Sequence, residues 1–347
     1  MPTIDSDAHV IENIESWKYL EDPKLLPFLV KQESGGDRLN TEGKRKSDFW
    51  VIDNRLFERD QNLGSNTSVE SREMHSVESR IRHMDELEVD VQILYPTLLL
   101  RPIADNAPLE LALAKSYNRW LAEIWKAGKG RLRWVAVPPL LSPPKLRDEL
   151  LFAKEHGACG IFMRAMECDK PQTDAMFHPL YDLAAELDLP ICFHLGTGSF
   201  TVHALYDKDT TFTKFKLPTV GVFHSLIMGG VPQMFPKVRW AIVEASANWI
   251  PYLVNDLRGR FKRRGKRLPD NVLAANNIYV TCEVTDDLPY VLPVAGEDNL
   301  IIGTDYGHSD SSSEIEALRL LRNDNRIGPR AVDKILWDNP RALYGLN

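Results

Sequence analysis

The chain has 347 residues, 44% of them hydrophobic, and carries a formal net charge of −7. This length allows one large hydrophobic core, and the negative charge argues against a nucleic-acid-binding surface. There is no apolar run long enough to span a membrane and no basic-then-apolar leader, so we expect a soluble cytoplasmic protein. Its four cysteines are scattered without a CxxC pair, which favours reduced core thiols over disulfides.

Short apolar runs with strand character recur along the chain, and helical patterns lie between them. The predicted strands are Thr3–Asp7, Val89–Tyr95, Arg133–Val137, Gly160–Met163, Pro190–His194, Arg239–Val243, Asn277–Thr281 and Leu300–Gly303. The predicted helices include Leu109–Ala127, Pro144–His156, Pro179–Leu187 and Asn248–Phe261. Alternation of strands and helices implies parallel pairing, and eight units predict an α/β fold, a (β/α)8 TIM barrel forming one domain over residues 1–347.

Residues 10–76 interrupt this alternation and hold no clear strand–helix unit. The step Asp53-Asn54-Arg55 between two apolar runs is typical of a hairpin turn. An insertion after the first barrel strand would lie at the C-terminal face, where barrel enzymes place their active sites. We therefore expect a lid or substrate wall, with mobile joints at Gly35-Gly36 and Gly64–Thr67.

The first predicted strand presents two acids and a histidine at alternate positions, Asp5, Asp7 and His9. Residues two apart share one face of a strand, so the three side chains are expected to project the same way. A carboxylate and an imidazole on one rigid strand form half of a divalent metal site. The alternative is a capping or salt-bridged cluster of acids. We assign Asp7 and His9 as ligands and place Asp5 behind them.

Three later strands also end in an acid or a histidine. An apolar strand delivers His194 into a glycine-rich loop, the sixth strand ends in Glu244, and Asp305 follows the last strand. Catalytic groups of a barrel lie at the C-terminal strand ends, so these side chains should converge with Asp7 and His9. Glu244 has a second interpretation as a helix cap. The combined set suits a metal ion that polarises a bound water or a substrate oxygen.

The order of these residues resembles the amidohydrolase superfamily. More narrowly, it is similar to the amidohydrolase-related branch that includes aminocarboxymuconate-semialdehyde decarboxylase and resorcylate decarboxylase. Three further stretches carry the resemblance, which are Arg80–Pro96, Gly229–Val238 and Asp338–Gly345. They cover most of the chain outside the 10–76 insertion, and they are specific for the family rather than for a substrate.

The resemblance implies a role for each matching position. Asp7 and His9 match the ligand pair of the first strand, His194 matches the ligand of the fifth, and Asp305 matches the aspartate that binds metal or moves a proton. The chain departs from the pattern in two places. Asp7 stands where the named decarboxylases carry His or Glu, and Glu244 stands where they carry a histidine that handles protons.

These departures bear on the reaction. An ionised Glu244 beside the metal would serve as a fifth ligand or as a general base for a metal-bound water. We therefore predict hydrolysis of a small ester, lactone or amide by metal-activated water, with Glu244 and Asp305 as catalytic residues. The alternatives are non-oxidative decarboxylation of a small aromatic or unsaturated acid, a carboxylate-bridged di-iron oxygenase, and a metal-free binding or scaffold barrel.

The expected cofactor is one divalent metal ion, with zinc as the first choice and manganese or iron as alternatives. A second ion becomes possible if Asp5, Glu12 or His308 joins the set. We expect a small-molecule substrate and, from the resemblance, a homodimer with apolar helices and the 10–76 insertion in its interface.

Four residues are candidates for substrate binding. Arg164, at the end of the fourth strand, would clamp a carboxylate through two hydrogen bonds or form a structural ion pair. Tyr95, Trp249 and Tyr306 lie at or just beyond strand ends, where they would wall an aromatic substrate or serve in ordinary packing.

Overall fold

Eight parallel strands form a nearly closed barrel in the computed structural model, which describes residues 2–30, 48–59, 62–206 and 212–346. The strands, named β1 to β8, are Ile4–Val10, Val91–Pro96, Leu132–Ala136, Ala158–Arg164, Ile191–His194, Trp240–Val243, Ile278–Cys282 and Leu300–Ile302. Strands adjacent in sequence are adjacent in the sheet, as a (β/α)8 barrel requires. The predicted fold is confirmed, and each predicted strand lies within a few residues of the observed one.

Helices separate consecutive barrel strands. The main helices, named α1 to α10, are Val77–Glu86, Ala107–Ala127, Leu146–Glu155, His178–Glu186, Leu217–Gly229, Ile250–Arg263, Leu288–Ala295, Ala317–Arg322, Pro329–Asp333 and Asn339–Tyr344. Shorter helical segments are Ile14–Trp17, Pro23–Leu25, Val69–Arg72, Leu98–Leu100, Pro143–Lys145, Ala175–Phe177, Phe200–Leu205, Phe212–Lys216, Val231–Met234, Ala274–Asn276 and Lys334–Asp338. Within the described ranges, no helix combines the length and apolar character needed to cross a membrane.

The insertion after β1 contains a small antiparallel sheet. Its strands are Phe28–Val30, Phe49–Ile52 and Arg55–Glu58. The predicted hairpin turn is confirmed, because Asp53 and Asn54 connect two of these strands with φ values of 49° and 58°. Gly35 and Gly36 lie outside the described residues, and the lid function of residues 10–76 stays a prediction.

The side chains of β1 do not alternate regularly between the two faces of the strand. Its register against β2 shifts between Asp5 and Ala8. Ile4 and the ring of His9 both face the barrel interior, although residues five apart in a regular strand would face opposite sides. Because the irregular register breaks the period of two, Asp5 does not share the face of Asp7 and His9, and its contacts agree with the prediction that it lies behind the two ligands.

Asp5 instead connects β1 to two other parts of the barrel. Its carboxylate accepts hydrogen bonds from the Gln92 amide (2.9 Å) and from the backbone and hydroxyl of Thr304 (2.9 and 2.7 Å). Gln92 Oε1 accepts in turn from Nε of Arg80, a buried residue of α1, at 2.7 Å. We call this the Arg80–Thr304 chain. Burial raises the pKa of Asp5 to about 6, although the hydrogen bonds from Thr304 and Gln92 lower it.

The end of β8 approaches β1 closely. Asp305 N–H donates to the carbonyl of Asp7 at 2.9 Å, and His9 N–H donates to the carbonyl of Tyr306 at 2.9 Å. A side chain at Gly303 would place its Cβ 2.2 Å from Cβ of Asp7, so this position accepts only glycine. Closure of the barrel thus depends on backbone contact between these two segments.

The lower part of the barrel is filled by apolar side chains and by the C-terminal helix. The inner cluster includes Ile4, Ile93, Val135, Cys159, Cys192, Val243 and Ile301. Tyr344 of α10 reaches this interior, where its hydroxyl lies 2.9 Å from that of Tyr95 and donates to the Ser6 carbonyl at 3.0 Å. The four cysteines are free thiols, as predicted.

We expect Thr304→Val to lower the free energy of unfolding by about 2 kcal/mol, because the buried Asp5 carboxylate loses a hydroxyl donor. Thr281→Val is the matched control. The Thr281 hydroxyl is buried on β7 without a partner among the described residues, so its removal should change stability by less than about 0.5 kcal/mol or increase it. Urea unfolding of chelator-treated protein measures both values, and equal losses would contradict the role assigned to Thr304.

Candidate metal centre

Predicted ligand side chains from four strands meet at the C-terminal end of the barrel. One atom each of Asp7, His9, His194 and Glu244 lies within 4.8 Å of the others, and all four residues are buried. The fifth predicted ligand, Asp305, has Oδ1 3.4 Å from Nε2 of His9. We call these five residues the carboxylate–histidine cluster.

Both histidines present Nε2 to the centre of the cluster. Nδ1 of His9 lies 2.9 Å from the Pro96 carbonyl, and Nδ1 of His194 lies 3.0 Å from the Leu195 carbonyl. A carbonyl oxygen only accepts, so each Nδ1 carries a proton and donates it, as in metal-binding histidines generally. Burial, together with the nearby His308, lowers the pKa of His9 to about 3, so its ring is neutral.

Two buried atoms of the cluster have no hydrogen-bond partner among the described residues, Nε2 of His9 and Oε2 of Glu244. Nε2 of His9 lies 3.5 Å from Asp7 Oδ1, and Oε2 of Glu244 lies 3.3 Å from Nε2 of His194. Acceptor atoms this close repel each other unless a cation or a proton lies between them. Carboxylate and imidazole donors suit zinc, manganese or iron, so these residues fit a divalent metal ion.

The carboxylates of the cluster have shifted acidities. Burial alone would raise the pKa of Asp7, but His194, whose Nε2 lies 3.0 Å from Asp7 Oδ1, holds it below its usual value. Burial and the neighbouring Asp305 raise the pKa of Glu244 well above the ordinary range. Burial also raises the pKa of Asp305 to about 6, although a nearby histidine lowers it. Negative charge is therefore crowded where a bound cation would compensate it.

Glu244 and Asp305 adopt an uncommon backbone conformation. Their φ values are 60° and 51°, in the left-handed region that non-glycine residues rarely occupy. The turn after Glu244 is held by Asp286, which accepts a hydrogen bond from Ala247 N–H at 2.8 Å and another from the Ser246 hydroxyl. The local fold thus uses strained positions to direct two carboxylates toward the barrel axis.

His308 supports Asp305. Its Nδ1 lies 2.7 Å from Asp305 Oδ1, and its Nε2 lies 3.0 Å from the hydroxyl of Thr97. That hydroxyl donates to the Val10 carbonyl at 2.9 Å, so it accepts from His308. Burial would lower the pKa of His308, but Asp305 raises it, consistent with both ring nitrogens donating.

A residue that sequence reasoning missed lies next to the cluster. Asp310 offers an oxygen within 4.8 Å of ligand atoms of Glu244 and Asp305. It lies in a serine-rich loop after β8 rather than at a strand end, so no strand pattern pointed to it. Two acids considered for a second ion have other partners, because Asp5 belongs to the Arg80–Thr304 chain and Glu12 accepts from two backbone amides after β2.

Arg164 lies at the end of β4, where the sequence placed it, but four of its five guanidinium N–H donors are engaged. Nε and Nη2 donate to the two oxygens of Glu167 at 2.8 and 2.5 Å. Nη1 donates to the carbonyls of Leu99 and Arg101 at 2.9 and 2.6 Å. Of the two alternatives, these contacts favour the structural ion pair over a free carboxylate clamp.

The three aromatic candidates lie in different surroundings. The ring of Tyr95 packs beside that of His194, with centroids 4.8 Å apart, and lies at the floor of the cluster. Trp249 packs against Phe223 with centroids 5.2 Å apart. The hydroxyl of Tyr306 contacts two side chains in and before α1, away from the barrel axis. These contacts give all three a packing role, and their predicted contact with substrate stays a prediction.

Comparison with known proteins gives one family and several similar folds. The family model described as Amidohydrolase matches residues 4–346. An amidohydrolase from Mycobacterium avium subsp. paratuberculosis K-10 is 20% identical, with a TM-score of 0.78 over 99% of each chain. A 5-carboxyvanillate decarboxylase from Novosphingobium aromaticivorans DSM 12444, solved with bound manganese, is 19% identical, with a TM-score of 0.66 over 82% of this chain and 86% of that one.

A third similar structure is 4-oxalomesaconate hydratase from Rhodopseudomonas palustris, which is 17% identical with a TM-score of 0.66. The alignment covers 99% of this chain and 95% of the hydratase. At these identities the similar structures show a shared fold, whereas the family model matches the sequence itself. Because that match begins at the first residue of β1 and includes the whole carboxylate–histidine cluster, the protein belongs to the amidohydrolase family.

Proposed function

We propose that the protein is a metal-dependent hydrolase that cleaves a small ester, lactone or amide at the carboxylate–histidine cluster. The observation that carries this proposal is Glu244, whose buried Oε2 has no hydrogen-bond partner among the residues that the structure describes and lies 3.3 Å from Nε2 of His194. Asp7, His9, His194 and Asp305 would hold the ion. A bound divalent ion supplies Lewis acidity to a water molecule or a substrate oxygen.

In the proposed reaction, two carboxylates of the cluster carry out the proton transfers. Glu244 in its ionised form would accept a proton from the attacking water, because its Oε2 faces the cluster. Asp305, whose carboxylate lies within 4.8 Å of that of Glu244, would relay this proton to the leaving oxygen or nitrogen, so that both carboxylates return to their starting state. His308 and the Ser313 hydroxyl hold the Asp305 carboxylate in place through its two oxygens. The fixed Nδ1–H bonds of the histidines keep both rings from rotating.

We further propose that the site takes one ion, with zinc as the first choice and manganese or iron as alternatives. The donor set of carboxylates and imidazoles is compatible with all three. Manganese in a decarboxylase of the same fold supports the wider range. The position of Asp310 beside Glu244 and Asp305 supports a second ion as a variant of this proposal.

Non-oxidative decarboxylation is the second candidate, and the similarity to 5-carboxyvanillate decarboxylase favours it. That reaction breaks the bond between a carbon atom and its carboxylate group, releases carbon dioxide and protonates the carbon, so it requires a proton donor rather than a base for water. Turnover of a panel of esters, lactones, amides and aromatic acids distinguishes the candidates. Carbon dioxide release identifies the decarboxylase, oxygen uptake identifies an oxygenase, and hydrolysis produces neither.

Metal content tests the site. We expect protein purified without added metal to hold about one equivalent of zinc, manganese or iron, and His194→Ala to hold less than about a tenth, because an imidazole ligand is lost. His224→Ala, on the outer helix α5, should retain the wild-type content. Elemental analysis and the metal-dependent shift in melting temperature measure this. Wild-type protein with neither metal nor stabilisation by added metal would refute the proposal.

Replacement of Glu244 by glutamine tests the reaction. We expect Glu244→Gln to lower kcat by about a thousandfold, because the amide cannot accept the proton from water. Its metal content should remain at half the wild-type value or more, since the other four cluster residues persist. Glu149→Gln changes a buried acid that pairs with Arg119 outside the cluster, and it should turn over normally. Wild-type activity of Glu244→Gln would remove Glu244 from the mechanism.

A further inference from the structure

A cavity lies beside the carboxylate–histidine cluster, among the loops that follow β2, β3 and β4. The space between its lining residues amounts to about 490 Å³, of which part is open solvent at its mouth. Its apolar lining includes Leu99, Ile103, Leu113, Val137, Leu140 and Phe162, and its charged lining is Glu110, Arg164 and Glu167. The ring of Phe162 is also 6.3 Å from that of His194, so the cavity and the cluster share a wall.

The charges in this lining are unfavourable for an anion. Arg164 is the cation of the described lining, and Glu167 neutralises it through two hydrogen bonds while backbone carbonyls take both Nη1 hydrogens. A carboxylate entering the cavity would lose its hydration and meet Glu110 and Glu167 without a free cation. Such burial of an uncompensated charge costs several kcal/mol, so the cavity discriminates against anionic groups.

Glu110 provides a polar contact in an otherwise apolar lining. It lies in the first turn of α2, where its Oε2 accepts a hydrogen bond from Leu141 N–H at 2.6 Å. A carboxylate has about four acceptor positions, so Glu110 can accept a further hydrogen bond from a ligand. Burial raises the pKa of Glu110 to about 7, although backbone hydrogen bonds lower it, so at about pH 8.5 Glu110 is ionised and only accepts hydrogen bonds.

We propose that this cavity is a binding site for an uncharged, mainly apolar group that donates one hydroxyl or amide hydrogen bond to Glu110. The apolar lining provides most of the binding free energy, because small-molecule sites are largely apolar with a few convergent polar groups. Glu110 favours a ligand that carries a hydrogen-bond donor. Because Arg164 is paired with Glu167, its charge does not compensate that of a bound carboxylate. The site does not depend on the metal centre or on its reaction.

Three probes of similar shape test this site, namely benzyl alcohol, toluene and benzoate. We expect benzyl alcohol to bind chelator-treated protein saturably in ligand-observed NMR titrations at about pH 8.5, where Glu110 is ionised. Benzoate should bind at least about tenfold more weakly because its charge is uncompensated. Removal of metal prevents benzoate from binding at the cluster through an ion. Turnover does not enter the test, so its outcome is separate from that of the hydrolase proposal.

Two variants locate the binding. Ala104→Phe fills the cavity and should abolish benzyl alcohol binding, whereas Ala127→Phe at the exposed far end of α2 should not alter it. Glu110→Met removes the acceptor and should make benzyl alcohol and toluene bind equally. Benzoate binding as tight as that of benzyl alcohol, or binding that Ala104→Phe leaves unchanged, would overturn the proposal. Circular dichroism confirms that each variant is folded.

Discussion

The seam between β8 and β1 is the constraint on which the site depends. Asp305 N–H donates to the Asp7 carbonyl at 2.9 Å, and Gly303 permits the backbones to approach this closely. The Arg80–Thr304 chain fixes the same seam from outside the barrel. Since Asp7 and Asp305 flank this seam, its width sets the separation of their carboxylates. The same contacts between β8 and β1 therefore close the barrel and set the geometry of the site.

Without a bound cation, the carboxylate–histidine cluster lowers the stability of the fold. It buries three acids, two of them with left-handed φ values, and within the described part of the chain Nε2 of His9 and Oε2 of Glu244 have no hydrogen-bond partner. Unpaired buried polar atoms and strained backbone each lower stability, and they persist where function selects for them. A bound cation offsets the repulsion among the acids, so metal binding and stability should be coupled.

Sequence reasoning predicted the barrel and the convergence of the five cluster side chains because both depend on local pattern, whereas the ligand role of these residues stays a prediction. A strand end fixes where a side chain such as His194 or Glu244 emerges, and a barrel brings all eight ends together. It failed at Asp5, where a shift in register reverses the face of the strand. It could not decide between two roles for Arg164, nor find Asp310 or the cavity, because these depend on contacts between loops distant in sequence.

The cluster and the neighbouring cavity place opposite demands on a ligand. The cluster is rich in carboxylates that call for a cation, whereas the cavity is apolar and contains a neutralised ion pair. Phe162 lines the cavity, and its ring centroid is 6.3 Å from that of His194, so the cavity and the cluster lie side by side. A molecule that occupied both would have to place its reacting polar group at the cluster and an uncharged group in the cavity. An ester or amide with an apolar alcohol, amine or acyl part meets both demands, whereas a substrate with a second carboxylate at its far end does not.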